Sequence, residues 1–279
     1  MSRSELFRDL LRHRTAAAGL CLISGIVILA LLGPCLVPYD PLVPSPLERL
    51  QPPSPKHFFG TDSLGRDIFS RVIHGSRISL MIGFLSVTLS LLPGTLLGLA
   101  AGYFGDPVDS VIMRIMDVLL AFPAVLLAIV ITAILGPSLP NTMIAVGIVY
   151  IPHYARIVRS NVLSLKQQLF VQAIRHLGGS HARVLFSHIL PNTFAPIIVY
   201  ATLGMGTAVL QAAALGFLGL GAQPPQPEWG AMLSEGRQYI QMAPHVAAFP
   251  GLAILLLVLG FNLFGDGLRD VLDPSLRTR

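Results

Sequence analysis

Charge is scarce in this chain. Only 12% of its 279 residues are Asp, Glu, Lys or Arg, while 53% are hydrophobic and the mean hydropathy is +0.70. A soluble domain carries about 25% charged residues, so an ordinary soluble fold is excluded and a polytopic membrane protein is indicated. Lysine is scarcer still: Lys56 and Lys166 are the only two, preceded by Pro55 and Leu165. No GxxxxGK[ST] loop can therefore be formed to cradle ATP phosphates. HExxH, CxxC and nucleophile-elbow patterns are also missing. The eight histidines are scattered, and His176, His181 and His188 lack i,i+4 spacing and a nearby carboxylate. No catalytic residue, metal site or cofactor is expected, and the chain is not read as an enzyme.

Cysteine is nearly absent. Cys21 and Cys35 lie 14 residues apart in one apolar run, about 21 Å along a helix at 1.5 Å per residue. That is beyond disulfide reach, so they are read as small residues facing lipid or core. Ionisable residues are missing from the depth of the first two and last two apolar runs. A proton-coupled transporter usually places Asp, Glu or His there. A membrane enzyme would need a convergent polar site in the spans. If the chain moves a solute, the energy comes from another subunit. The net charge of +5 is spread over loops and termini, without the single basic face that nucleic-acid binding favours.

What is present is a succession of apolar runs. Ser2–Arg14 has four arginines against two acids and reads as an interfacial amphipathic helix or the charged region of a signal peptide. Ala16–Val37, 22 residues without a charge, is too long for a signal-peptide core and long enough for a ~30 Å hydrocarbon layer. Prolines recur through Pro38–Phe59, Pro38, Pro41, Pro52, Pro53 and Pro55 among them, which excludes a regular helix and leaves an extended segment outside the membrane. In residues 57–80, Asp62 is expected to cap a short surface helix with Ile68, Phe69, Val72 and Ile73 on one side and Arg66 and Arg71 towards the other.

Ile78–Gly105, 28 residues without a charge, holds the second span. In it Gly94, Gly98 and Gly102 offer one face to a close-packed helix. Val118–Ala155 holds most of a third span, kinked at Pro123, and all of a fourth. Arg114 and Asp117, at i,i+3, can pair near the inner end of the third. The fifth span starts after Pro191-Asn192 and is dense in Ala and Gly, the mark of a helix packed by protein rather than lipid. Residues 222–243 form a Pro-rich outer interval in which Trp229 reads as an interfacial anchor. The sixth span covers about Val246–Phe264. The fold expected is all-α and polytopic, with six transmembrane helices.

Between Val118 and Pro227 the chain has five Lys or Arg and no Asp or Glu. All five fall in the interval that a count from an inside N-terminus places in the cytoplasm, in line with the positive-inside bias. Both termini are then cytoplasmic. The core of this interval, LFVQAIRHLGGSHARVLFSHILPN at 169–192, is the longest polar stretch of the second half. Its charges, Arg175 and Arg183, are both positive. It is read as a docking surface for a soluble partner, the plainer reading being a basic connecting loop.

This stretch resembles the cytoplasmic EAA loop of the permeases of binding-protein-dependent ABC importers. Gln172-Ala173-Ile174 stands for E-A-A, Gly178 matches the glycine, Leu190-Pro191 match the end, and His188 replaces an isoleucine. Three departures (Gln172, Ile174, His188) weaken the loop as a signal. GTDSLGRDIFSRVIHGSRISL at 60–80, ALGFLGLGAQPPQPEWGAML at 214–233 and FNLFGDGLRDVLDP at 261–274 are similar to the second permease of the dipeptide/oligopeptide group. The resemblance covers about residues 10 to 274.

The resemblance implies a type I ABC importer permease fold in a bacterial inner membrane. Its partners would be a second homologous permease, two ATP-binding subunits, a periplasmic solute-binding protein and membrane lipid, with no nucleic acid. The organisation implied is 1–59 for the N-terminal segment, first span and start of the periplasmic segment, and 60–77 for a periplasmic surface segment. The importer transmembrane domain would cover 78–268, with the coupling loop at 160–191, and a cytoplasmic tail 269–279. ATPase docking is assigned to Gln172, Ala173, Arg175, Leu177, Gly178, Gly179, Arg183, Leu190 and Pro191, with Leu177, Val184 and Leu185 supplying apolar contact. Glu228, Trp229, Glu235 and Arg237 are candidates to face the binding protein. The cargo implied is dipeptides or short peptides; glutathione, an opine or a nickel chelate are the alternatives within the same architecture.

Overall fold

The computed structural model describes residues 3–272. The part of the expected tail from residue 273 onward lies outside the described residues, as does Ser2. Among the described residues the chain is helical, with one isolated bridge between Thr61 and Asp67 in place of any strand.

A short helix α1 (Arg3–Arg12) leads into α2 (Arg14–Leu36), whose two cysteines are free and exposed on the same helix. The proline-rich segment that follows folds back on itself. Backbone bonds from Ser45 to Leu64, Leu50 to Asp62 and Thr61 to Gln51, each 3.0 Å, close it into a compact loop. The expected surface helix is not separate. Asp67, not Asp62, caps the helix: its carboxylate accepts from the Ser70 N–H at 2.8 Å and the Ser70 hydroxyl at 2.7 Å. The result is α3 (Ile68–Phe104), 37 residues of continuous helix through Pro93. Asp62 accepts instead from the N–H groups of Leu64 and Arg66 within a turn.

The glycine stripe of α3 is where α6 (Leu139–Lys166) lies against it, the most extensive helix pairing in the chain. A Cβ at Gly94 would sit 2.6 Å from Tyr154 Cβ, one at Gly98 2.5 Å from the Ala155 carbonyl oxygen, and one at Gly102 2.8 Å from Val162 Cβ. Only hydrogen fits at these three positions, so the two backbones meet along about two turns.

Between them come α4 (Val108–Leu120) and α5 (Ala124–Leu135). Pro123 has no N–H for the Leu119 carbonyl and its ring opposes that turn. The outcome is a break, with the two helices at 90°, in place of the expected kink. At about 20 Å and 18 Å neither half alone crosses a ~30 Å layer. Asp117 pairs with Arg156 at 2.5 Å and Asp109 with Arg159 at 2.5 Å, fastening α4 to α6. The Arg114–Asp117 pair expected from spacing is superseded by this cross-helix contact.

Beyond α6 come α7 (Leu169–His176), a single turn α8 (His181–Arg183), a π-helical segment Val184–Ile189, and α9 (Leu190–Phe217). The helix from His181 to Phe217 is continuous, so the fifth span starts before Pro191. The wide turn has a cause: Pro191 gives no N–H to Ser187, and the Leu190 N–H reaches back to Leu185 instead, the i+5 pattern. Last come α10 (Trp229–Arg237) and α11 (His245–Leu272).

Among the described residues four helices are long and apolar enough to cross a membrane, or five if α4 and α5 count as one broken span. The expected span missing from this count is the fourth, α6, whose 28 residues reach about 42 Å. Its last three turns carry Arg156, Arg159 and Lys166, which lower its hydropathy. These cations belong to a helix, not to the loop where the sequence placed them.

The core runs the length of the bundle. Its centre is Ile82, Val146, Val149, Ala208 and Leu215 on α3, α6 and α9. One end gathers Ile68, Trp229, Val246 and Leu257; the other gathers Leu99, Tyr103, Val162, Val171 and Ile189.

Candidate functional site

At the second of these ends α7 is laid across the feet of α3 and α6. Val171, fully buried, is its anchor, and Ile174 is half-buried beside it. The helix stops in a Schellman arrangement. Gly178 takes φ +80°, the Gly179 N–H bonds the Ile174 carbonyl at 3.0 Å, and the Gly178 N–H bonds Arg175 at 3.1 Å. These are the 6→1 and 5→2 bonds of that motif, and the left-handed position favours glycine. A Cβ at Gly179 would touch Ile174 at 2.8 Å, whereas the space around Gly178 is open. Ser180 then caps the next helix by accepting from the Arg183 N–H at 3.3 Å.

The turn therefore projects a defined face. Gln172, Ala173, Arg175, His176, Leu177, Gly178 and Arg183 are exposed on it. Leu169 is 83% exposed and Leu177 87%, which leaves two leucines in water at about 1.5–3 kcal/mol each relative to burial. No acidic residue lies within this stretch to pair Arg175 or Arg183.

Some assigned residues do other work. Val184 and Leu185 are buried in the chain's own core, because the helix that carries them begins at His181 and turns them inward; they offer no outward apolar contact. Leu190 is half-buried with them. Pro191 is exposed on the helix beyond, and Gly179 is half-buried under the turn.

Sequence reasoning missed what holds the loop. The Tyr103 hydroxyl hydrogen-bonds His181 Nδ1 at 2.8 Å, and Lys166 Nζ donates to the Tyr103 carbonyl at 2.7 Å. The Arg175 guanidinium lies 5.9 Å from the centre of the Tyr103 ring. One residue at the end of α3 thus grips the end of α6, the end of α7 and the start of α8. Its only sequence signal is a tyrosine two places before Gly105, which ends α3 with φ +71°.

The opposite end is a buried ionic knot. Arg66 Nε donates to Asp62 at 2.7 Å and Arg66 Nη2 to Glu235 at 2.8 Å. Arg71 lies 3.5 Å from both acids and donates to the Pro41 carbonyl at 3.3 Å. His57 bonds Asp67 at 2.9 Å. On the rim Lys56 bonds Glu48, which holds the Glu48 carboxyl below the usual range. Arg77 donates to the Ala30 and Leu31 carbonyls of α2. Pro34 has no N–H with which to bond Ala30 itself. These arginines are taken up within the chain.

Two of the outer candidates are corrected. Trp229 is 2% exposed and donates to the Val72 carbonyl at 2.9 Å, over Gly75, where a Cβ would be 2.6 Å from the indole. It is a core residue and not an interfacial anchor. Glu228, also 2% exposed, caps α10 by accepting from the Gly230 and Ala231 N–H groups at 2.8 Å each. Its burial raises the carboxyl pKa, and those two N–H groups pull it back down in part. Glu235 is half-buried in the knot, and Arg237 is exposed, its guanidinium 5.3 Å from the Phe217 ring centre. Among the described residues no group of three His, Cys, Asp or Glu is placed to hold a metal.

Residues 94–278 match the family model described as the inner membrane component of binding-protein-dependent transport systems. Residues 3–53 match that of the N-terminal transmembrane domain of oligopeptide transport permease C. The chain is 54% identical over 274 residues to a dipeptide transport system permease protein of Alkalihalophilus pseudofirmus, covering 98% of this chain and 90% of that one. It is 49% identical over 275 residues to a glutathione transport system permease protein of Pectobacterium atrosepticum, covering 98% and 91%. It is 49% identical over 279 residues to a di/tripeptide transport system permease protein of Pseudomonas aeruginosa, covering 98% and 92%. Among solved structures, a chain of the inward-facing MetNI methionine ABC transporter superposes with a TM-score of 0.58 at 20% identity, covering 72% of this chain and 96% of that one. At that identity the likeness is one of fold.

Proposed function

This chain belongs to the family of inner-membrane components of binding-protein-dependent transport systems, and on that footing we propose that it forms half of the pathway of an ATP-driven importer for dipeptides and short peptides. A second homologous permease supplies the other half. Two cytoplasmic ATP-binding subunits supply the energy, and a periplasmic binding protein delivers the cargo. The chain does no covalent chemistry of its own.

The observation that carries the coupling role is the outward face of α7. Leu169 and Leu177 have no cover within the chain, and Arg175 and Arg183 have no acid within the stretch. Apolar side chains beside unpaired guanidinium groups fit a protein partner that offers a cleft with carboxylates or carbonyls. ATP-driven closure of the ATPases pushes on α7. The grip of Tyr103 on His181 and Lys166 passes that push to α3 and α6. Both termini are cytoplasmic in this reading, supported by the basic residues clustered at the α7 end. The outer face of Arg237 and the segments around it meet the binding protein.

The test is ATPase activity of the co-expressed complex in nanodiscs, with and without peptide-loaded binding protein, in wild type and Gly178→Trp. The substitution puts a bulky residue on the docking face at a positive φ that disfavours it. Stimulation is expected in wild type and lost or uncoupled in the variant, with assembly checked in the same samples. A variant that assembles and couples normally overturns the docking role. Glutathione is the second reading, favoured by the 49% identity to a glutathione permease. It replaces the first if binding protein loaded with glutathione stimulates and dipeptide-loaded protein does not.

A further inference from the structure

A cavity of about 580 Å³ opens between α6, α9 and α11 at the α7 end of the bundle. Its walls are apolar in part, with Ile157, Val199, Leu203 and Leu272, and polar in part, with Asn161, Tyr200 and Arg269. The polar groups are largely unused. Asn161 donates its amide to the Ile157 carbonyl, which leaves its oxygen free. Arg269 is exposed, and no acid among the described residues lies in ion-pair contact with it. Its helical neighbour Asp270 faces His13 at 3.6 Å, and Asp266 is exposed one turn away. Leu10 of α1 packs with Val199, Leu268 and Val271, which brings the exposed Arg8, Arg12 and Arg14 to the same boundary.

We propose that this cavity holds an anionic phospholipid of the inner leaflet. The phosphate lies on Arg269, Tyr200 and Asn161, and an acyl chain lies along Ile157, Val199 and Leu203. The placement rests on the orientation proposed above, with the α7 end in the cytoplasm. Three observations carry it. The cavity is amphiphilic, its cation has no ion-pair partner among the described residues, and it lies where the first apolar turns of α9 and the last turns of α11 meet the basic end of α6. Basic pockets between transmembrane helices on that side are suited to anionic headgroups. A guanidinium presents paired donors to a phosphate. A bound lipid there touches α6, α9 and α11 together, and so the helices that a moving docking loop must displace.

The importer complex is placed in nanodiscs of phosphatidylcholine with or without phosphatidylglycerol, washed at high salt, and examined by native mass spectrometry for retained lipid. Wild type is expected to retain phosphatidylglycerol in preference to phosphatidylcholine. Arg269→Gln is expected to lower that retention roughly fivefold, the ~1 kcal/mol that one basic side chain near an anionic surface contributes. Arg12→Gln, outside the cavity, is expected to leave it unchanged. Equal losses in the two variants would mean diffuse surface charge and overturn the site. No preference in wild type overturns it whether or not any variant assembles. Efficient cross-linking of Asn161→Cys to the second permease also overturns it, since the cavity then faces a subunit and not lipid. Importer function can survive each of these failures, and the ATPase test above is read independently of them.

Discussion

The two ends of this bundle hold their charges in opposite ways. At the α10 end Asp62, Arg66, Arg71 and Glu235 are drawn together, the arginines and Asp62 within a few per cent of full burial. At the α7 end Arg175 and Arg183 stand exposed with apolar Leu169 and Leu177 beside them. The knot pairs its charges inside one chain and so works as a clamp among residues 41–71 and α10. The α7 loop has no acid in its stretch and keeps its leucines exposed, which is what the docking role proposed for it requires. Charge content would not separate the two; burial and partnering do.

The comparison breaks first at the knot. Arg66→Ala leaves Asp62 and Glu235 short of a buried partner and is expected to cost about 3–5 kcal/mol, read as a fall in the unfolding midpoint and in the amount of chain assembled in the membrane. A variant of full stability would show the knot to be ornamental. Glu228, two turns from Glu235, gives a pH test. Burial raises its pKa in the folded chain. The stability it contributes is therefore complete below the ordinary carboxylate range and declines as pH rises through the raised value. Midpoints measured across the acid to neutral range should fall less in Glu228→Gln than in wild type.

The α7 end is expected to answer differently. Tyr103→Phe removes one hydrogen bond to His181, worth about 1 kcal/mol. Global stability should move little, while amides of 169–183 exchange faster and stimulated ATPase falls relative to basal. Unchanged exchange would mean that Tyr103 does not hold the loop. The smallest stability effect is expected at Leu177→Ser, within about 0.5 kcal/mol, with affinity for the ATPase subunit reduced. If Leu177→Ser instead destabilises the isolated chain, its side chain is not free and the contrast between the two ends narrows.

Much of this was legible in the residues. Long uncharged runs declare helices in lipid, since backbone groups there must bond internally. The stripe Gly94, Gly98, Gly102 declares a close-packed face. Gly178 beside Gly179 declares a turn. The pairing partners were not legible. Asp117 and Arg114 are three residues apart, yet Asp117 bonds Arg156 from another helix. Asp62 stands before an apolar run as a cap should, yet Asp67 is the cap. Trp229 lies in a Pro-rich outer interval as a surface anchor should, yet it fills the space over Gly75.

By itself, then, the sequence determined the solvent this protein lives in, its all-helical build, its close-packed glycine face and the single-signed charge of its α7 loop, because each depends on composition or on spacing within one helix. Only the tertiary structure decided which charges are used up. Arg66 and Arg175 are the same side chain, Arg66 with Asp62 and Asp67 close in sequence and Arg175 with no acid in its stretch. One is neutralised by acids 4 and 169 residues away, and the other is left facing water. The pairing with Glu235 depends on which helices meet, and helices meet according to packing over the whole bundle, which no local window of residues contains.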